Sequence, residues 1–326
     1  MSDLKIGSFE FDIERAKSEL KKIEAEKIMI QLPDGLRPKV DRFLKNFDQD
    51  TVVWGGSCYG ACDLPEDIGD TDALVHVGHA EIPNLQVDYP VIYLPGKSTR
   101  FHELPEELFE KLKGKVALYA PIQHIHQLEK AEKILSKKGY ETVIGKGDAR
   151  VKNPGQVLGC NYSVKVEGAD SHLYIGTGRF HPLGLSFSLM RDVLIYNPST
   201  GQVDMIDENE RDDFLRRRFA AIVKAEECSK IGLIVSRKKG QSRIEEAKIV
   251  QKMGEKKDKK IIPIEIDEIK KSSIDDLGIE CAVNTACPRI ALDDSGNYDT
   301  VLLTPDELKI ALKEKDWKDW KMDEID

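Results

Sequence analysis

The chain has 326 residues, about two to three domains' worth of length, with 40% hydrophobic and 33% charged residues, the balance of a globular protein with material for more than one core. Its 49 Lys+Arg against 58 Asp+Glu give a net charge of −9, which argues against a protein that coats nucleic acid. No stretch approaches the roughly 18 consecutive apolar residues of a membrane helix, and the charged start MSDLKIGSFEFDIERAKSELKK lacks the apolar segment of a signal peptide, so a protein of the reducing cytoplasm is expected.

Taken in chain order, one pattern of elements is written three times. The first copy opens with the Ile-rich run Lys27-Ile28-Met29-Ile30-Gln31-Leu32, a Pro33-Asp34-Gly35 loop, a helix-like stretch from about Pro38 to Asn46 and a strand over Thr51–Trp54. A glycine and cysteine loop follows, then the strand Ala73-Leu74-Val75-His76-Val77, which ends at Gly78-His79. The second copy opens with Lys115–Tyr119. Its helix places Ile125, Leu128, Ala131, Ile134 and Leu135 on one face and stops at Gly139; strands over Glu141–Ile144 and Ser171–Ile175 follow, with Cys160 between them. The third copy opens with Lys230–Val235, then a loop holding Gly240-Gln241, a helix over about Ser242–Met253, a strand over Lys260–Ile264, the strand Cys281-Ala282-Val283 leading to Cys287, and a last strand over Asp299–Leu303. Strands alternating with helices imply parallel sheets with right-handed crossovers. The expected fold is therefore α/β: three related small domains with mostly parallel sheets, spanning 1–105, 106–205 and 206–326, packed about a central site.

Loops at the carboxyl ends of parallel strands are where such sheets place ligands, and each copy puts a cysteine into one of them: Cys62, Cys160 and Cys287. In a reducing compartment the six cysteines point to metal binding or catalysis rather than disulfides, with buried small hydrophobes as the plain alternative. Familiar nucleotide motifs fail. Gly96-Lys97-Ser98 has Val91 where a phosphate loop needs its leading glycine. Gly176-Thr177-Gly178 follows a strand but lacks the third glycine; it reads as a turn, with no helix opening after it. Zinc knuckles do not recur, since Cys58 and Cys62 are separated by three residues and Cys281 and Cys287 by five. Three thiolates without an obvious fourth suit a four-iron cluster with one open iron, although Pro65 stands where a CxxxCxxC loop would be completed.

The segments GSCYGACD (56–63), VLGCN (157–161), TGRFHPLGL (177–185) and NTACPRI (284–290) together closely resemble the archaeal diphthamide synthesis family, over nearly the whole chain. The resemblance implies three related α/β domains, each giving one cysteine to a [4Fe–4S] cluster: Cys62 in Tyr59-Gly60-Ala61-Cys62, Cys160 in Gly159-Cys160-Asn161 and Cys287 in Thr285-Ala286-Cys287-Pro288. Cys58 is the ambiguous neighbour, and Cys228 and Cys281 read as structural. The implied reaction uses S-adenosylmethionine as co-substrate: one-electron cleavage yields a 3-amino-3-carboxypropyl radical that adds to C2 of a histidine imidazole in translation elongation factor 2, the first step of diphthamide formation, and 5′-methylthioadenosine leaves. A homodimer and an electron donor are implied with it. Arg289 suits the co-substrate's carboxylate, against pairing with Asp293 or Asp294 for structure. Gly240-Gln241 and Asp34-Gly35 are further candidates for that site, against ordinary turns. His79 and His181, at strand ends, are candidates for the vicinity of the target histidine, against structural hydrogen bonds. The rival readings are a metal-stabilised protein-binding module without chemistry and a metal-free enzyme with Cys62 as nucleophile.

Overall fold

The structure is a computed structural model that describes residues 3–326. Its chain folds as two compact units. One contains the chain through Leu158 with Ser163–Arg179 and Val193–Met205; the other contains Gly159–Tyr162, Phe180–Asp192 and Ile206–Asp326.

The first unit begins with a hairpin of β1 (Leu4–Ile6) and β2 (Phe9–Phe11), followed by α1 (Ile13–Lys22). Asp12 caps α1, and Ile13, Ala16 and Leu20 bury its inner face at spacings of three and four. A parallel sheet then forms from β3 (Lys27–Gln31), β4 (Asp50–Val53), β5 (Ala73–Val77) and β6 (Val91–Leu94), in the order β4-β3-β5-β6. The helix expected over 38–46 is a 3₁₀ turn at Arg37–Lys39 running into the short α2 (Val40–Leu44). The dipeptide strand β7 (Lys97–Ser98) returns to β2 and completes a small antiparallel sheet that the sequence pattern did not announce.

After α3 (Glu106–Lys111), the second parallel core is β8 (Lys115–Tyr119), β9 (Glu141–Val143), β10 (Ser171–Ile175) and β11 (Val193–Tyr196), with α4 (Leu128–Lys137) between β8 and β9. With β12 (Val203–Ile206) at its edge the order is β12-β11-β10-β8-β9. Between β10 and β11, where no helix was expected, Phe180–Leu189 forms α5. Pro182 is tolerated because it lies in the first turn, where a backbone N–H has no helical partner to lose. Phe180, Leu185 and Phe187 are buried along with Gly184 and Ser186. With polar and apolar residues buried together, the stretch had no amphipathic stripe to betray it.

The second unit carries the long α6 (Glu208–Glu226) and the third sheet: β13 (Lys230–Ser236), α7 (Ile244–Lys256), β14 (Lys260–Ile266), α8 (Ser272–Asp275), β15 (Cys281–Asn284), α9 (Pro288–Leu292), β16 (Val301–Leu303) and α10 (Pro305–Ala311). Its order is β14-β13-β15-β16 and all three pairings are parallel. Cys228 and Cys281 lie in its core, where burial raises both thiols above their ordinary value.

In each of the three parallel sheets the second strand and the third flank the first, with the fourth beyond the third. The same edge device recurs as well. The acid just before the third strand accepts the first strand's opening N–H: Asp72 from Lys27 (2.8 Å), Asp170 from Lys115 (2.8 Å) and Glu280 from Lys230 (3.1 Å). This fixes the register of each first and third strand, pairing Ile28 with Ala73, Val116 with Ser171 and Ile231 with Cys281. The repeat read from the sequence is thus also a repeat of topology and register.

A buried ion pair anchors the second unit. Arg218 of α6 donates through Nε and Nη2 to Glu307 at 2.8 and 2.5 Å, and its other bonds go to Ala291 O and Leu302 O. Glu307 also accepts from Thr304 N and Trp320 Nε1. Glu307→Gln removes the charge opposite a buried guanidinium. It is expected to destabilise by about 3–5 kcal/mol, read as a lower urea midpoint. Among the described residues no helix is long and apolar enough to cross a membrane.

Candidate metal centre and substrate site

Cys62 lies in the loop leaving β4, which folds back on itself. Buried Asp63 accepts from Tyr59 N (2.9 Å) and Ser57 Oγ (3.1 Å), and Gln31 at the end of β3 donates its amide to both Ser57 O and Asp63 O at 2.7 Å. One side chain thus pins both ends of the 57–63 loop. Within it Cys62 is half-buried while Cys58 is 5% exposed, and burial pushes the Cys58 thiol up to about 12. Cys58 is thus the inward-held, protonated thiol of a loop whose other cysteine, Cys62, is half-buried.

The same Gln31 acts a second time. Its register partner across the sheet is His76, whose Nδ1 lies 2.7 Å from Gln31 Oε1; His76 Nε2 in turn lies 2.9 Å from His79 Nδ1. Since the Gln31 amide nitrogen is committed to two carbonyls, Oε1 must accept. His76 therefore donates from Nδ1 and accepts at Nε2, and His79 donates from Nδ1. Tyr93, the register partner of His76 on β6, packs edge-on at 5.5 Å. Cys58, His76 and His79 offer a potential metal donor set within 4.8 Å. The hydrogen bonds already engage three of the four ring nitrogens, and the thiol is held neutral, so this cluster reads as a hydrogen-bonded chain that fixes the tautomers of two neutral histidines and not as a cage.

Burial, with help from the neighbouring His79, holds His76 far below its ordinary value of 6.5, and burial pushes His79 down to about 4. The folded protein therefore refuses protons that the unfolded chain accepts. The sign follows: this contribution to stability is intact above about pH 6.5 and is lost as pH falls from there toward 4, at up to about 1.4 kcal/mol per pH unit for each histidine. Urea midpoints are expected to drop between pH 7 and pH 5, and less steeply in His76→Asn; a flat wild-type profile contradicts the neutral histidine pair.

In the second unit, Cys160 and Cys287 share one neighbourhood, both half-buried and both acting on the hydroxyl of fully buried Tyr162, which burial raises first of all. Cys287 leaves the end of β15 three residues after Asn284, whose side chain accepts from Ala286 N (3.1 Å) and donates to Cys287 O (2.8 Å). Arg289 ion-pairs with Asp293 at 2.5 Å, stacks on Phe180 at 4.7 Å and is approached by Gly159, where an added Cβ would lie 3.3 Å from its chain. His181 packs edge-on to Phe180, and burial, reinforced by Arg289, pushes it down to about 4. The structural pairing of Arg289 with Asp293 is therefore real, with one face of the guanidinium on an aromatic ring.

Two elements escaped the sequence. Arg243 holds Asp323 through two 2.8 Å bonds and donates to Thr285 O (3.1 Å) and Ala286 O (3.2 Å), just before Cys287. The chain beyond Asp323 then reaches the backbone of the Cys160 loop: Ile325 N donates to Cys160 O (2.7 Å), Asn161 Nδ2 to Ile325 O (3.2 Å), and Tyr162 N to Glu324 (2.9 Å). The C-terminal strap thus ties the Cys160 and Cys287 loops together. Nothing in a polar tail of Lys, Asp and Glu signals that role. Of the remaining candidates, Gly240 and Gln241 are buried in a 3₁₀ turn after β13, whereas Asp34 and Gly35 are exposed and Asp34 pairs with Arg37 at 3.1 Å.

In each unit half-buried thiols stand on loops beyond parallel strands, the arrangement of a parallel α/β protein with thiolates available to a metal or cluster. The donor set fits iron and sulfide: the loop thiols are presented, whereas Cys58, Cys228 and Cys281 are buried. The family described as putative diphthamide synthesis protein matches residues 32–321, and the chain belongs to it. It is 38% identical over 318 residues to the 2-(3-amino-3-carboxypropyl)histidine synthase of Pyrococcus horikoshii, covering 94% of this chain and 91% of that protein. It is 31% identical to the protein of the same name from Methanocaldococcus jannaschii, over 97% of this chain and 93% of that one. The crystal structure of Dph2 from Pyrococcus horikoshii with a 4Fe–4S cluster superposes with a TM-score of 0.88 at 36% identity, covering 97% of this chain and 94% of that chain.

Proposed function

We propose that Cys62, Cys160 and Cys287 hold a [4Fe–4S] cluster with one iron open to S-adenosylmethionine. The activity is that of a 2-(3-amino-3-carboxypropyl)histidine synthase, the first step of diphthamide formation, and the protein substrate is translation elongation factor 2. The observation that supports the ligand assignment is the split among the six cysteines: Cys62, Cys160 and Cys287 are half-buried on loops carrying the family's motifs, whereas Cys228 and Cys281 lie outside those motifs in the core of the third sheet and Cys58, which shares its motif with Cys62, is buried. The boundaries near residues 105 and 205 then divide the chain into three units with one parallel sheet and one ligand thiol each.

The bound cluster supplies one-electron reduction of the sulfonium, and the protein's own residues decide which S–C bond faces it. Arg289, steadied by Asp293 and Phe180, offers its guanidinium to the co-substrate's carboxylate. Gly240-Gln241 and Asp34-Gly35, at strand ends of the third and first sheets, are proposed for the rest of that site, and His181 for the approach of the target histidine. A one-electron donor, a homodimer and a cytoplasmic setting complete the reading. The test is anaerobic: after reconstitution with iron and sulfide, dithionite and S-adenosylmethionine are added with the elongation factor. 5′-Methylthioadenosine and a modified histidine are expected. 5′-Deoxyadenosine as the major product overturns the bond choice, and absence of any cleavage by cluster-loaded protein favours a binding module.

A further inference from the structure

The net reaction exchanges the C2 hydrogen of an imidazole for a carbon chain. Addition of the 3-amino-3-carboxypropyl radical forms the C–C bond and leaves C2 tetrahedral, still carrying its hydrogen. Restoring the aromatic ring removes one electron and one proton. The electron returns to the oxidised iron–sulfur centre that supplied the first one, so the sum is S-adenosylmethionine plus imidazole giving alkylated imidazole, 5′-methylthioadenosine and H⁺. That proton needs an acceptor beside the target ring.

We propose that His79 is this acceptor, its Nε2 taking the C2 proton of the target imidazole, with Gln31 and His76 as the positioning residues that keep that nitrogen bare. Three observations converge on it. First, the tautomer is dictated from the interior outward: Gln31 Oε1 accepts from His76 Nδ1, and His76 Nε2 accepts from His79 Nδ1, so His79 Nε2 carries a lone pair and no proton. Among the described residues His79 has no other hydrogen-bond partner, and it is only partly buried, unlike His76 at 0% exposure. Secondly, its place is the counterpart of a proposed ligand's. His76 and Asn284 hold matching register positions on the third strands of their sheets, and His79 and Cys287 each follow by three residues. The position that offers a thiol in the third sheet offers an imidazole in the first. Thirdly, the loop is built to hold it there. Gly78 has φ +94°, an added Cβ would lie 3.0 Å from Pro33, and Gly78 O accepts from Gln123 Nε2 at 3.2 Å. Gln31 links this group to the Cys62 loop, since the amide that orients the histidines also binds Ser57 O and Asp63 O.

The inference rests on the cluster reading above, and its failure has a different signature. If the ligand assignment is wrong, the cysteine variants keep their iron; if the base is wrong, cluster-loaded His79 variants behave as wild type. The experiment uses the reconstituted enzyme with elongation factor carrying hydrogen or deuterium at the imidazole C2. His79→Ala is expected to keep its cluster absorbance, its affinity for the elongation factor and its release of 5′-methylthioadenosine. The yield of modified histidine per 5′-methylthioadenosine should fall at least tenfold, with the radical instead taking one electron from the dithionite of the assay and one proton from solvent to give 2-aminobutyrate. A primary deuterium isotope effect should appear that wild type lacks. Added free imidazole should restore coupling in His79→Ala, which a structural histidine would not allow. Unchanged coupling with no isotope effect overturns the proposal. So does loss of the cluster or of elongation-factor binding in both His79→Ala and His79→Gln, since that makes His79 a structural residue.

Discussion

Replacing Cys62, Cys160 or Cys287 by serine, one at a time, is expected to take the iron of anaerobically reconstituted protein from about four per chain to near zero. Production of 5′-methylthioadenosine should vanish with it. The argument is one of presentation. A ligand thiol must reach outward from its loop and ionise, and these three stand half-buried beyond strand ends. Cys58 is enclosed, its thiol pushed up to about 12 by burial and then by Asp63, so Cys58→Ser should leave iron content and cleavage near wild type. Cys281→Ser is the opposite control, since it places a hydroxyl in the core of the third sheet and should lower the urea midpoint with little effect on iron per folded chain. Iron loss in Cys58→Ser together with retention in Cys62→Ser would reverse the choice within the first motif.

Asp323→Ala is expected to have the second large effect, at a residue far from any motif. It strands Arg243, whose side chain is 9% exposed, without its bidentate partner. Breaking such a buried pair costs about 3–5 kcal/mol, and the remaining contact of Arg243 with Glu246 at 2.9 Å places the result toward the lower end. The strap also holds the loops of two proposed ligands, through Arg243 to the carbonyls before Cys287 and through Ile325 to Cys160 O. Cluster occupancy should therefore fall along with stability. The double variant Arg243→Met/Asp323→Leu separates the two effects. Apolar replacement of a buried pair is commonly tolerated, so the urea midpoint should recover. The carbonyl bonds do not recover, so iron content should stay low. Full iron content in the double variant would reduce Arg243 to a purely structural role.

The parts of the fold legible in the sequence were those written in local chemistry. Lys27–Gln31, Lys115–Tyr119 and Lys230–Ser236 are apolar runs bounded by charge and turn residues, and they form the first strands of the three sheets. The helix with Leu128, Ala131 and Leu135 on its inner face was visible because it is amphipathic, whereas α5, with Gly184 and Ser186 buried beside Phe180 and Phe187, was not. The cysteine loops could be singled out because the residues around them are unusual, not because of their spacing. The third thiol in fact follows the third strand of its sheet, whereas Cys62 and Cys160 follow the second.

What the sequence determined by itself was the α/β class, the threefold recurrence of its elements and the identity of the candidate ligands, because these depend on residue type and near-neighbour pattern. The tertiary structure alone decided which polar groups serve those ligands. Gln31 meets His76 across 45 positions, Arg243 meets Asp323 across 80, and Asn161 meets the terminal strap across 164. Such bonds carry no local signature: a glutamine at a strand end or an aspartate in a charged tail looks like any other. Only burial makes its partner obligatory, because an unpaired polar group away from water costs more than the bond itself returns.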